Sequence, residues 1–330
     1  MKKRLEYIDI AKGLGIILVV LSHTDHSELM YYTSAFFVPI FFFCSGYTSS
    51  KKEISLATCF RRQTKKLIKP YLFFSILLLL YFHDFSIRAI AGIFYSRYCL
   101  YPFGTTPDIC HLMIVGNYPM WFLTCMIVAY LLYDLLIYFP KYQYWLIFLY
   151  LIITFGMSNL PILLPWSIDT APLMAVIMFS GALTKQFIPE FSSNKKQYII
   201  IIVAFFIYLL LLPFCHNINI SVRMFGSSIV TYLLAAIAGC ILLTWLAQLL
   251  QGSIIGKGLK QVGIHSLTIF CLEIPFVLLS KQISILIPAD LSLLQMEILT
   301  SVIQLIIALL GGYLLSVFIC NNPIISKFLF

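Results

Sequence analysis

Long apolar runs, interrupted by short polar stretches, set the pattern of this chain. Ile199–Leu212 and Tyr232–Leu250 are almost unbroken hydrophobic segments, whereas a transmembrane β-barrel would show short alternating ones. Backbone groups in hydrocarbon must satisfy one another, and within a single segment only a helix achieves this. A spanning helix takes about 20 residues. The pattern predicts about ten spans, near Tyr7–Leu21, Tyr31–Tyr47, Pro70–Tyr81, Pro119–Tyr138, Tyr144–Phe155, Thr170–Leu183, Tyr198–Phe214, Phe225–Leu250, Val262–Ser280 and Leu294–Cys320. Two connections are longer than the rest. Ser49–Lys69 is strongly basic, and Phe82–Tyr118 is mixed, with Ile87–Tyr98 reading as a short interfacial helix.

Composition sharpens the class. Of 330 residues, 61% are hydrophobic and 11% charged, too few polar groups to cover a water-facing surface. The Lys and Arg residues then fix an orientation. With the N-terminus inside, 18 of the 22 fall on inner segments, leaving only Arg88, Arg97, Arg223 and Lys281 outside. The expectation is an all-α integral membrane protein with both termini cytoplasmic, one transmembrane domain over residues 1–330 and no soluble domain. The first apolar run leads into Ser22-His23-Thr24-Asp25-His26, without a small-residue cleavage site, so it counts as a span rather than a signal peptide. The net charge of +9 is a topology signal. The lipid bilayer is the expected partner and nucleic acid is not.

Nine cysteines occur without a Cys-x-x-Cys pair, so no metal site is expected. Cys99, Cys110 and Cys215 share the outer side, where a disulfide among them is open.

Ionisable residues inside spans are costly and single themselves out. The first span carries Asp9, Lys12 and His23. Lys12 and His23 lie 11 positions apart, which puts them on nearly one helix face, about 16 Å apart along the axis. Asp9 has the spacing to pair with Lys12. Taken alone, these residues also fit an interface in which the lysine snorkels. Similarly, Arg61, Arg62, Lys65, Lys66 and Lys69 put five cations in nine residues. That run suits anionic lipid headgroups or the phosphates of a polyanionic cofactor.

Several ordered motifs carry a family resemblance. Lys12 with His23, Phe41-Phe-Phe-Cys-Ser45-Gly46-Tyr47, Arg61-Arg62 leading to Pro70, Pro119-Met-Trp121-Phe122-Leu123, and Gly263-Ile-His-Ser266-Leu267 resemble the membrane acyltransferase-3 family. The fourth resembles especially its fucose 4-O-acetylase-like branch. Two positions depart from the pattern: Lys12 stands where arginine is usual, and Glu273 where many members carry histidine. The glutamate has two roles open, pairing with a basic group or orienting an acceptor.

The resemblance implies an O-acyltransferase, an acetyltransferase in the first instance, in the cell membrane. Acetyl-CoA or another acyl-CoA is the implied donor, and a saccharide or glycolipid the implied acceptor. His23 becomes the implied base or transient acyl carrier. Lys12, Arg61, Arg62, Lys65, Lys66 and Lys69 become the implied donor site. Asp9, Asp25, Ser45, Trp121 and Glu273 are supporting candidates, with Ser22 a further oxyanion donor and Asp25 or His26 a partner fixing the tautomer of His23. Tyr98, Tyr101, Tyr118 and Trp166 are candidates for an outer sugar cleft, and His265 reads as structural. The rival reading is a secondary transporter or flippase for a polyanionic or sugar substrate. The chain lacks a half-to-half repeat, which favours the enzyme.

Overall fold

The computed structural model describes residues 4–24, 28–49, 56–97, 99–102, 119–188, 195–284 and 293–329. Cys110, Asp25, His26, Tyr98 and Tyr118 lie outside these. The described residues are overwhelmingly helical. In chain order the helices are α1 Glu6–Ser22, α2 Glu28–Thr33, α3 Pro39–Thr48, α4 Leu56–Phe82, α5 Ile87–Tyr95, α6 Trp121–Tyr138, α7 Gln143–Ser158, α8 Ala171–Phe187, α9 Lys195–Leu211, α10 Ile229–Leu249, α11 Ile254–Ile264, α12 Ser266–Ser284, α13 Leu293–Asn321 and α14 Pro323–Leu329.

Among the described residues, five helical stretches are long and apolar enough to cross a membrane, built on α6, α8, α9, α10 and α13, or six if the bent pair α11 and α12 is one span. This is an all-α, multi-pass membrane protein. The remaining predicted spans correspond to helices that are short, broken or charged. The second is split into α2 and α3, and α7 has 16 residues. Likewise, the ninth does not begin straight at Val262, because the chain turns by 81° between α11 and α12. The basic Arg61–Lys69 run is not a loop before a span: it is the first half of the 27-residue α4, continuous through Pro70. Helical spacing therefore gathers its five cations within about 140° of one face.

Helix α1 is the hub, packing on α3, α10, α11, α12 and α13. Two pairs of glycines set the closest approaches. A Cβ at Gly13 would strike the Leu259 carbonyl, and one at Gly263 the Asp9 carbonyl, so α1 and α11 meet backbone to backbone. Gly46 and Gly181 do the same for α3 and α8, against the carbonyls of Met178 and Phe43. The Ser-Gly and Gly-x-x-Ser-Leu motifs thus have a packing reason. The periphery is apolar too: the most hydrophobic window of α9 is only 17% buried, against 72% for α8. Phe206 and Leu210 face outward there, as lipid contact requires.

At the far end of α1 from Arg4, irregular segments close the bundle. α5 is the predicted interfacial helix, capped by Ser86 and exposing Ile87 and Phe94. A two-residue ribbon pairs Ile218 with Phe225 and Asn219 with Met224. Arg97 and Arg223, read from the sequence as outer topology markers, are buried around Asp169. Arg97 donates to the carbonyls of Leu164 and Ser221 and to Asp169 Oδ1. Arg223 donates to the carbonyls of Met157 and Leu160, with Nε 3.5 Å from Asp169 Oδ2. The backbone N–H of Leu164 completes Asp169. Cys215 remains a free thiol whose S–H donates to the Leu211 carbonyl, so it forms no bridge with Cys99.

Candidate active site

Four helices frame one path through the bundle at two levels: α1, α6 and α12 contribute at both, and α3 at one, with the segment just before it serving the other. α1 places Lys12 at one level and His23, just past its last turn, at the other. At the Lys12 level lies a cavity of about 130 Å³, lined also by Phe41 and Ser45 of α3, Phe122 and Met126 of α6, and Ser266, Leu267 and Phe270 of α12. At the His23 level lies a larger one, about 270 Å³, lined by Val19, Ser22, Ser34, Phe37, Trp121, Phe270 and the Ile218–Ser221 segment.

His23 Nδ1 sits 3.0 Å from Glu273 Oε1; the imidazole is 25% exposed and the carboxylate fully buried. Glu273 lies seven residues, two turns, beyond Ser266 on α12, so the same helix face that lines the Lys12 cavity reaches the histidine. The second carboxylate oxygen, Oε2, is buried and makes no hydrogen bond within the described residues. Lys12 lines its cavity without an ion pair or hydrogen bond among the described residues. Its expected partner, Asp9, is taken by Arg4 instead, with Nε 2.5 Å from Oδ2 and Nη2 2.9 Å from Oδ1. That leaves the lysine charge for something else.

The other predicted residues divide. Ser22 and Ser45 donate their hydroxyls to Val19 and Phe41 carbonyls at 2.6 and 2.8 Å, so neither is a standing oxyanion donor. Trp121 lines the larger cavity, and its indole N–H makes no hydrogen bond to a described residue. Tyr101 and Trp166 do not line either cavity, and the Trp166 indole instead donates to the Phe94 carbonyl at 2.8 Å. His265 hydrogen-bonds Ser316 at 2.8 Å and lines neither cavity.

On α4, Arg61, Arg62, Lys65 and Lys66 are exposed and Lys69 half-buried. α4 packs on α6, which carries Phe122 and Met126 to the smaller cavity. Sequence reasoning missed which residue partners His23. The available signal was an acid, Glu273, stranded in an apolar run.

The family model describing an acyltransferase domain, that of the acyltransferase 3 family, matches residues 5–320. The chain belongs to that family and is a membrane acyltransferase. No curated protein and no solved structure matches it.

Proposed function

We propose that the chain moves an acyl group, acetyl in the first instance, from cytoplasmic acyl-CoA onto a hydroxyl of an envelope saccharide or glycolipid. The observation that carries this reading is the His23–Glu273 pair on the larger cavity, at the far end of the α1 face that holds Lys12 in the smaller one. The cationic face of α4 supports donor binding, since guanidinium and ammonium groups suit phosphate oxygens. In this arrangement α1, the α2–α3 pair, the apolar half of α4 and α7 complete ten spans, with both termini cytoplasmic and the protein in the cell membrane. The 18-to-4 distribution of basic residues supports that orientation.

The chemistry follows from the two imidazole nitrogens. With Nδ1–H held by Glu273, Nε2 acts on substrate, a tautomer fixed by the carboxylate. Nε2 takes the acceptor hydroxyl's proton as its oxygen attacks the thioester carbonyl. The Trp121 N–H, on the same cavity as His23, is an uncommitted donor for the oxyanion that forms. Collapse breaks the carbon–sulfur bond, and the imidazolium returns its proton to the departing sulfur. In a two-step version Nε2 itself carries the acyl group.

Thiol release tests the reading. Purified protein mixed with acetyl-CoA and envelope saccharides is expected to liberate coenzyme A, and a labelled acyl-enzyme trapped without acceptor would identify the two-step route. No release under any of these conditions would overturn the proposal.

A further inference from the structure

The two cavities are not one. Among the described residues, Phe270 is the single one that lines both, and it is wedged against two other rings. Its centroid lies 4.7 Å from that of Phe122 and 6.4 Å from that of Phe41, while Phe41 and Phe122 are 5.7 Å apart. Such separations are ring-to-ring contact. All three are buried, at 4, 5 and 7% exposure for Phe270, Phe122 and Phe41. They come from α12, α6 and α3, three of the four helices that frame the path, so the rings close it between Lys12 and His23. Phe270 also lies one turn before Glu273, which ties the closed layer to the histidine pair.

We propose that Phe270, braced by Phe41 and Phe122, is the barrier between the donor and acceptor compartments and the residue that limits acyl length. The proposal rests on the acyl-transfer reading. A thioester arriving from the Lys12 side reaches His23 only past these rings. An acetyl group slips through a small displacement of one ring, whereas each further methylene must find room in a filled layer. Between turnovers the rings keep water on the His23 side from the thioester. Without them, water attacks the carbonyl, the carbon–sulfur bond breaks, and acetate and coenzyme A thiol are released.

The test separates barrier from chemistry. Met126, on the smaller cavity, is changed to Cys, and sealed vesicles of each orientation are treated with a charged methanethiosulfonate, with modification at position 126 read by mass spectrometry. With Phe270 present, labelling is expected from one face only; with Phe270→Ala added, from both. Labelling from both faces before the change, or from one face after it, overturns the barrier. In parallel, Phe270→Ala is expected to raise acceptor-free hydrolysis of acetyl-CoA and the butyryl-CoA to acetyl-CoA rate ratio about tenfold or more, the scale on which a pocket tells methylenes apart. An unchanged ratio in a chain whose labelling has opened overturns the length limit. Should Phe270→Ala not fold, Phe270→Leu, which keeps most of the volume but not the ring, is judged by the same outcomes. If the unaltered chain releases no coenzyme A, the acyl-transfer reading fails, and labelling still judges the barrier.

Discussion

Arg97, Asp169 and Arg223 form one buried ionic cluster of this bundle, and His23 with Glu273 forms another. They lie close together, since the Ser221 carbonyl that accepts from Arg97 belongs to a residue lining the His23 cavity. Their surroundings differ. The arginine cluster spends five of its six guanidinium nitrogens on four carbonyls and a carboxylate, with only Arg223 Nε left at 3.5 Å from Asp169, and joins the segments around residues 97, 157–169 and 221–223 into one wall. By contrast, Glu273 keeps a buried oxygen, Oε2, with no hydrogen bond among the described residues, and its histidine opens onto a cavity. Buried charge in a membrane protein is a functional candidate by default. Here access sorts the candidates: the arginine cluster, bonded almost throughout and lining neither cavity, holds structure, and the histidine pair, open to a cavity, is left with capacity to act.

The largest effect that would break this contrast is on turnover. His23→Gln keeps polarity and approximate size but no base near neutral pH. It is expected to lower acyl transfer by about 10²–10⁴-fold, the usual worth of a general base, with donor affinity and detergent-solubilised monodispersity unchanged. Near wild-type turnover at equal expression would reduce His23 to an interfacial polar group and erase the distinction between the clusters.

Next comes stability, in the other cluster. Arg97→Ala removes one guanidinium and strands the oxygens it served, a change that costs about 3–5 kcal/mol when a buried pair is broken. Thermal unfolding in detergent should show a large fall, and any residual folded fraction should keep its donor affinity. An Arg97→Ala protein of normal stability but no turnover would move that cluster into the site.

Glu273→Gln is expected to have a smaller consequence. The amide still fits but cannot balance an imidazolium, which forfeits a charge-assisted hydrogen bond of about 1.5–3 kcal/mol, or about ten- to a hundredfold in rate. The acidic limb of the rate–pH profile should move to lower pH, because a protonated histidine loses its counter-charge. A slower variant with an unmoved profile would make Glu273 a packing residue only.

These contrasts also show what could be read from residues alone. Hydropathy sufficed for the membrane class because long apolar runs report their solvent directly, and α5 was legible from its mixed pattern. The shared face of Lys12 and His23 follows from helix geometry within one element. Glu273 was visible as an anomaly, but its pairing depends on how α12 meets α1, which no local period encodes. The burial of Arg97 and Arg223 was not legible for a related reason: whether a short connecting segment folds inward is decided by tertiary structure. The basic run passed for a loop because its charges hid a helix that continues into α4.

The smallest expected effect concerns that helix. Arg61 and Arg62 are exposed on the first half of α4, so phosphate contacts there compete with water and are screened by salt. Each charge-assisted contact is worth about 1.5–3 kcal/mol when sheltered, and exposure brings each of these two below about 1 kcal/mol. Replacing both with Ala should therefore weaken acyl-CoA binding about tenfold, measured by titration calorimetry on the folded protein, while leaving the rate at saturating donor nearly unchanged. Arg62→Lys should recover part of the loss, because an ammonium keeps the charge but not the two-pronged guanidinium geometry. Raising ionic strength should shrink the gap between the unaltered and double-Ala proteins. Equal donor affinity in the two, with weaker retention in vesicles of anionic lipid, would assign the α4 cations to headgroups and leave Lys12 as the donor's charged contact.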